Sequence, residues 1–436
     1  MTLPSALRER CYWLDTAPPP PPPPPLARRS DAEAVPETTD VAVIGGGYTG
    51  VAAARALARH GVDVTVLERE ALGWGASTRN GGFVLPGFKL GALALVRRFG
   101  VERARRLFEA SVASVRFLEQ LIAEAGITCD YARCGHISLA SRPAHVRQME
   151  AVQRLLASQF GYDTMLLPRE QLREEIGSAR YYGGLVDPSA GALHPAKYFA
   201  GLAAAAERAG ARLVEHVEAQ HLERTAGGFT VVTSRGRVRA REVVIATNGY
   251  SGALHPELRR RVIPIGSYII ATAPLAESLA RELIPRRRML SDTKHLLFYF
   301  RLSPPPDARL LFGGRASFTP TTTHESARIL ADGMRSVFPQ LAAVPVEYSW
   351  SGNVGFTFDQ LPHAGRLDGV YYALGYCGHG VAQASYLGAR VAEAIAGRDD
   401  LAPFSEIPFP AIPFYRGRPW FLPLVGEYFR WVDRLA

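Results

Sequence analysis

The run Asp40–Arg69, DVAVIGGGYTGVAAARALARHGVDVTVLER, constrains the fold more than any other stretch, because it sets a glycine cluster between two apolar runs and stops on an acid. Asp40–Ile44 concentrates β-branched residues and predicts a buried strand of a parallel sheet. Gly45, Gly47 and Gly50 fit G-x-G-x-x-G, whose glycines permit a tight turn, close backbone approach to a pyrophosphate and close packing of helix on strand. Ala52–His60 is rich in helix formers, and the N–H groups that open this helix would face the phosphates. Gly61 closes the helix. Asp63–Leu67 predicts a second strand ending at Glu68, 23 residues after Gly45, where a carboxylate can take both ribose hydroxyls. Strand, glycines, helix, strand and acid in that order predict a bound dinucleotide. The glycines do not choose between NAD and FAD.

A chain of 436 residues can bury a large core and implies two domains or one interleaved one. The net charge of +9 invites a nucleic-acid or anionic-lipid reading, but the arginines are scattered, and the clusters Arg259–Arg261 and Arg286–Arg288 are short. No nucleic-acid partner is expected. Cys11, Cys129, Cys134 and Cys377 form no C-x-x-C pair and have no His at metal-ligand spacing, so free thiols and no metal are predicted, in a reducing cytoplasm. The N-terminus lacks an apolar signal region, and no run of ~18 apolar residues is long enough to span a membrane, so no transmembrane segment is expected and the chain is read as soluble and cytoplasmic.

Residues 1–37 read as a tail, in which Pro18–Pro25 favours a stiff polyproline II spacer over a docking element. Val101–Ala125 has helical periodicity, Gly135–Ser141 and Gly184–Asp187 read as strands, and a second βα-like section runs from Phe199 to Val214. GGFTVVTSRGRVRAREVVIATNGY predicts two strands joined at Ser234–Gly236, then a separate buried strand, Val243–Ala246, and a Thr247-Asn248-Gly249 turn. A meander placed late in a nucleotide-binding unit suits FAD domains better than plain NAD dehydrogenases. Tyr268–Thr272 and Leu296–Gly314 supply strands for an antiparallel sheet, and GVYYALGYCGHGVAQASYLGARVAEAIAG returns as strand, glycine turn and helix. The turn Gly375–Gly380 would bring a helix N-terminus to a flavin. The predicted fold is α/β: a Rossmann-type FAD-binding domain (38–90, 191–260, 345–400) with an interleaved α+β substrate domain built on an antiparallel sheet (91–190, 261–344) and a C-terminal tail (401–436).

Tyr12-Trp13, DVAVIGGGYTG, GWGASTRNGG (Gly73–Gly82), ATNGY (Ala246–Tyr250), LLFGGR (Leu310–Arg315) and GHGV (Gly378–Val381) occur in this order over nearly the whole chain. Together they resemble the D-amino-acid oxidase superfamily of FAD-dependent oxidoreductases, with GWGASTRNGG the most specific element and the gamma-glutamylputrescine oxidoreductases the branch most resembled. The resemblance implies that Gly45, Gly47, Tyr48, Thr49, Gly50, Glu68 and Arg69 hold the ADP half of FAD. It implies that Gly75, Ala76, Ser77, Arg79, Asn80, Gly81 and Gly82 line the ribityl chain and isoalloxazine, and that Val217, Thr247, Gly249, Gly352, Gly378, His379, Gly380 and Val381 complete the site. His379, Arg79 and Trp350 are the candidates for contact with the reacting groups. Asn80 has a plainer reading as a turn residue, and His379 as a structural histidine.

Glycine-oxidase and D-amino-acid oxidase relatives resemble GLRPxTxD, whose Arg clamps the substrate carboxylate. This chain has GNVGFTFD, Gly352–Asp359, and alignment on Thr357 and Asp359 puts Val354 at the Arg position. Sarcosine-oxidase-like relatives resemble GHGxK, and Ala382 stands at that Lys. Two apolar anion positions argue for an amine without an adjacent carboxylate, oxidised by hydride transfer to flavin and hydrolysis of the imine, unless Arg79 or Arg301 supplies another cation. Trp74, Tyr48, Tyr268 and Trp350 are candidates for an apolar slot. Gly352 stands where sarcosine-oxidase relatives carry a flavin-linking cysteine, so noncovalent FAD is expected. The expected partners are a small-molecule amine and O2 or an electron carrier. The rival readings are a D-amino-acid, glycine or sarcosine-type oxidase, a noncatalytic FAD-bound interaction protein, and a membrane-surface amine dehydrogenase feeding quinone. For the last, the aromatic segment Pro419–Leu435 is the motif, against a plainer reading as a helix packed on its own domain.

Overall fold

The runs of β-branched residues assemble into two eight-stranded sheets. The computed structural model describes residues 7–17, 35–314 and 321–435; the polyproline run Pro18–Pro25 and Arg315 lie outside the described residues.

In the first sheet, β1 (Thr38–Ile44) leads into α1 (Tyr48–Arg59), which returns to β2 (Val64–Leu67), parallel to β1 with Val41 opposite Val64. On its other side β1 pairs in parallel with β3 (Gly236–Ile245), Ile44 lying opposite Ile245. Val41–Ile44 and all of β2 are buried, as strands covered on both faces must be. Strands Val370–Leu374 and His363–Leu367 extend the sheet beyond β3, and Arg212–Val214 extends it beyond β2.

The strand β3 corrects one expectation. The hairpin's second strand and the buried strand expected at Val243–Ala246 are one continuous element, whose first half pairs antiparallel with Gly228–Thr233 and whose second half joins the parallel sheet. Its residues explain both halves: Arg237, Arg239 and Arg241 are exposed between buried Val238 and Ala240, and Val243–Ile245 then form an uninterrupted buried run. Ala219–Thr225 adds a further antiparallel strand that the sequence did not single out.

The second sheet is antiparallel except for the pairing of Met289–Asp292 with His136–Leu139. Its longest members are β4 (Val262–Thr272) and β5 (Val346–Thr357), paired along their whole length. Thus 346–357, read from sequence as part of the nucleotide domain, pairs within the second sheet. Residues 7–17, read as tail, are also built in: Trp13 is wholly buried and its indole N–H donates to Asn80 O at 2.8 Å. Two helices complete the frame around the site, α2 (Gly380–Ile395) and α3 (Leu422–Leu435). Among the described residues no helix is long and apolar enough to cross a membrane, and no cluster of potential ligands for a metal occurs.

Candidate active site

A cavity of about 1630 Å³ opens where the carboxyl ends of β1, β2 and β3 meet the second sheet. Single small-ligand pockets fill roughly 300–1,000 Å³, so this one has room for a dinucleotide and a substrate together. Gly45, Gly47, Tyr48 and Thr49 line it at the start of α1, Glu68 and Arg69 at the end of β2, and Thr247 after β3.

The glycine loop is a cradle that side chains would fill. Gly45 has φ +107°, a backbone state that suits glycine, and a Cβ on Gly47 would lie 2.9 Å from Ser77 Oγ. Gly50 does not line the cavity; its Cβ would fall 2.0 Å from Gly45 O, so it sets how closely α1 packs on β1. The Glu68 carboxylate accepts from Gly46 N at 2.7 Å and Glu70 N at 2.9 Å. A carboxylate offers about four lone-pair positions, so two remain for ribose hydroxyls. Ser77 Oγ accepts from Tyr48 N at 2.9 Å, joining the GWGASTRNGG segment to the first turn of α1. These donors and clearances fit FAD.

Glu68→Ala is expected to weaken FAD binding by about tenfold or more without unfolding the chain, because it removes the anchor of the Gly46 N–H, and hydrogen bonds to charged groups contribute roughly 1.5–3 kcal/mol. Titration of apoprotein with FAD, followed by flavin fluorescence, checks this; an unchanged dissociation constant would place the ribose contact elsewhere.

Most of the other expected residues also converge here. Gly75, Ala76, Ser77, Arg79, Asn80, Gly81, Val217, Gly352, Gly378, His379, Gly380 and Val381 all line the cavity. Gly82 and Gly249 do not: a Cβ would meet Leu193 O at 2.2 Å in the first and Gly355 N at 2.8 Å in the second, so both serve close backbone packing. Asn80 spends its amide on its own turn, donating to Ala76 O and Ser77 O and accepting from Gly82 N at 2.7 Å. Arg79 lies at the rim, its guanidinium 5.0 Å from the Trp74 ring centroid and its Nε donating to Trp74 O at 2.7 Å.

Trp350 stands apart from the cavity. It is buried beside Trp13 and Tyr348, and its indole N–H donates to Arg79 O at 2.9 Å, so it positions Arg79 from behind. Tyr268 does not line the cavity either, and the Tyr48 ring packs at 5.1 Å on Tyr198 with its hydroxyl donating to Pro195 O. Arg301 is excluded as a replacement cation: it is buried off the cavity and donates to Leu193 O at 2.9 Å and Gly82 O at 3.2 Å.

The two aligned anion positions separate. Val354 lines the cavity, whereas Ala382 is wholly buried in α2 and does not. Asp359, the alignment anchor, makes a buried pair with His363 at 3.0 Å.

His379 has its Nδ1 shielded from solvent without a partner. Burial first, and then the charge of nearby Lys89, push its pKa down to about 4, so the ring is neutral at physiological pH. Cys377 is buried and its thiol is pushed up to about 11 by burial; Thr357 N donates to its Sγ. Thr49 Oγ1 and Tyr376 OH lie 2.7 Å apart, tying α1 to the Gly375–Gly380 turn, and Asn248 Oδ1 accepts from Gly375 N at 2.9 Å to hold the same turn from β3.

Sequence reasoning missed much of the remaining wall. Lys89 lines the cavity, as do His136, Ser138, His145, Gln148, Ser291, Thr293 and Lys294 on the side of the second sheet. His136 Nε2 lies 2.9 Å from Ser291 Oγ, and Lys294 pairs with buried Asp292 at 3.0 Å. Leu422, Val425 and Phe429 of α3 complete that end. Only the apolar spacing of 422, 425 and 429, one face of a helix, signalled the last group in the sequence.

Comparison with known proteins agrees with this geometry. The family model DAO, FAD dependent oxidoreductase, matches residues 40–394. The chain is 34% identical over 405 residues to the gamma-glutamylputrescine oxidoreductase of Escherichia coli strain K12, covering 92% of this chain and 94% of that one. It is 35% identical over 389 residues to a probable oxidoreductase, OrdL, of Haemophilus influenzae, covering 88% of each. Its fold is similar to that of glycine oxidase from Geobacillus kaustophilus, with a TM-score of 0.71, 23% identity, and coverage of 85% of this chain and 98% of that one.

Proposed function

The chain belongs to the DAO family of FAD-dependent oxidoreductases, and on that premise we propose that it oxidises an amine with no carboxylate on the reacting carbon, a γ-glutamylputrescine-like polyamine derivative, to an imine that water converts to an aldehyde. The observation that carries the reading is Val354, an apolar residue on the cavity wall at the position where relatives place a carboxylate clamp. The polar groups on the second-sheet side, with the Asp292–Lys294 pair, suit the distant polar end of such a substrate.

FAD, when bound, supplies the two-electron acceptor. In this reading the first turn of α1 and Glu68 hold the ADP half, and the Gly73–Gly82 and Gly375–Val381 segments hold the flavin end. No covalent link is invoked, because position 352 is glycine and the Cys377 thiol is buried and protonated. The final acceptor is O2 or an electron carrier. Four cysteines without a disulfide, three of them buried, accord with a reducing compartment such as the cytoplasm.

The chain's own task is to position the amine and strip it of water. A neutral amine releases its α-hydrogen with the bonding electrons far more readily than an ammonium, so the rate of flavin reduction is expected to rise with pH through the pKa of the bound amine. His379 adds no second limb near pH 6.5, because its pKa lies about 4 and it stays neutral across that range. A second inflection near neutrality that disappears in His379→Asn would show that the histidine is charged in the working enzyme.

A second reading, oxidation of an amino acid, is favoured by Lys89, a cavity cation close enough to His379 to depress its pKa. Anaerobic stopped-flow reduction with γ-glutamylputrescine, putrescine, sarcosine and glycine separates the two. Fastest reduction by the γ-glutamylated amine supports the proposal, and fastest reduction by glycine or sarcosine overturns it.

A further inference from the structure

Eleven large hydrophobic side chains are exposed among the described residues, and six of them, Ile412, Phe414, Trp420, Leu424, Tyr428 and Trp431, fall within one segment of the chain. Phe414 is 91% exposed, Leu424 70% and Trp420 67%. Leu424, Tyr428 and Trp431 follow at i, i+4 and i+7, so they form one stripe along α3. The opposite stripe, Leu422, Val425 and Phe429, already faces the cavity. The helix therefore carries two apolar faces, and the chain's own interior accounts for one. An apolar patch of this kind on a folded surface marks an interaction site.

The segment is fixed in place. The Asp433 carboxylate accepts from His295 N at 3.1 Å and Leu296 N at 3.0 Å, and Arg142 donates to the carbonyls of Val432 and Asp433 at the helix C-terminus. Tyr415 is buried and its hydroxyl donates to Val262 O at 2.8 Å. The outer aromatic side chains are thus held outward by anchors on the inner side.

The charges around the patch decide among occupants. Arg416 and Arg418 are exposed and make no side-chain hydrogen bond or ion pair among the described residues. The segment 412–431 contains one acid, Glu427, and it pairs with Arg430. A second copy in a two-fold contact would set this basic face against itself, which is unfavourable. An anionic lipid surface complements it: tryptophan and tyrosine rings settle at the headgroup level, and guanidinium groups bind phosphate.

We infer that the outer face of α3 with the preceding 412–420 segment docks the enzyme on an anionic membrane surface, with the cavity wall formed by the inner face of the same helix. The inference is independent of which amine is oxidised.

The test is flotation of flavin-loaded full-length protein with vesicles of phosphatidylcholine alone or mixed with phosphatidylglycerol. Wild type is expected to float with the mixed vesicles, less so at high salt, and to stay behind with neutral ones. Trp420→Ala with Trp431→Ala, and separately Arg416→Gln with Arg418→Gln, are expected to lower partition by about tenfold. None of these side chains lines the cavity, so flavin content and amine oxidation are expected to match wild type. Should the tryptophan variant fail to fold, quenching of wild-type tryptophan fluorescence by brominated lipid gives the same reading. No flotation of wild type, flotation of both variants equal to that of wild type, or a wild-type dimer that the tryptophan variant converts to monomer would each overturn the inference.

Discussion

Gly47→Val is expected to give a folded, colourless protein, and Gly50→Val a protein that fails to fold. The two glycines lie three residues apart in one motif, but their neighbours differ. A Cβ on Gly47 meets Ser77 Oγ at 2.9 Å, a side-chain atom that can turn away at the cost of its bond from Tyr48 N. The branched side chain then occupies the cradle in which the pyrophosphate would sit. A Cβ on Gly50 meets Gly45 O at 2.0 Å and Val43 Cγ1 at 3.1 Å, so α1 must leave the sheet. Overpacking typically costs about 1–3 kcal/mol and more where backbone must move, a large share of the ~5–15 kcal/mol that holds a domain together. Flavin absorbance per chain and far-UV circular dichroism of both variants check this. Full flavin content in Gly47→Val would remove the loop from the pyrophosphate site, and a stable yellow Gly50→Val would contradict the packing of α1 on β1.

Val354→Arg is expected to move substrate preference toward amines with an α-carboxylate by about tenfold or more, since a charge-assisted hydrogen bond contributes roughly 1.5–3 kcal/mol. Val354 lines the cavity on β5, so an arginine there reaches the bound molecule. Ala382→Lys is not equivalent, although sequence alignment treats the two positions alike. Ala382 is wholly buried in α2, and a lysine there places an unpaired charge in the core, so destabilisation is expected in place of altered specificity. The measurement is kcat/KM for γ-glutamylputrescine relative to sarcosine in wild type and Val354→Arg, with thermal midpoints for both variants. A wild type that already prefers sarcosine would show that Lys89 or Arg79 performs the role assigned to the missing clamp.

The sequence brought the residues of the glycine loop and its partners together. Gly45, Gly47, Glu68, Ser77 and the Gly378–Val381 turn were legible as a set, and all of them line one cavity. Where the reading failed, it failed on position across and along the strands. Tyr268 is a residue of the right chemistry on the wrong face of β4, next to cavity-lining Ser267, whereas Trp350 and Arg301 share a sheet face with cavity-lining Gly352, Val354 and Tyr299 but lie further along their strands, beyond the cavity. Lys89, His136 and Lys294 carry no motif at all, since a single polar residue has no periodicity to reveal it.

The sequence by itself determined the βαβ unit and therefore the glycine loop, because strand alternation, helix periodicity and glycine placement act between residues a few positions apart. It also determined that Val354 is apolar. Tertiary structure alone decided which side chains meet across the chain: Trp350 donates to Arg79 O over 271 residues, and Asp433 accepts from His295 N over 138. Those contacts hold Trp350 behind Arg79 and bring α3 onto the cavity, and they depend on how two sheets pack, a matter of side-chain volume and hydrogen-bond satisfaction that no local pattern encodes.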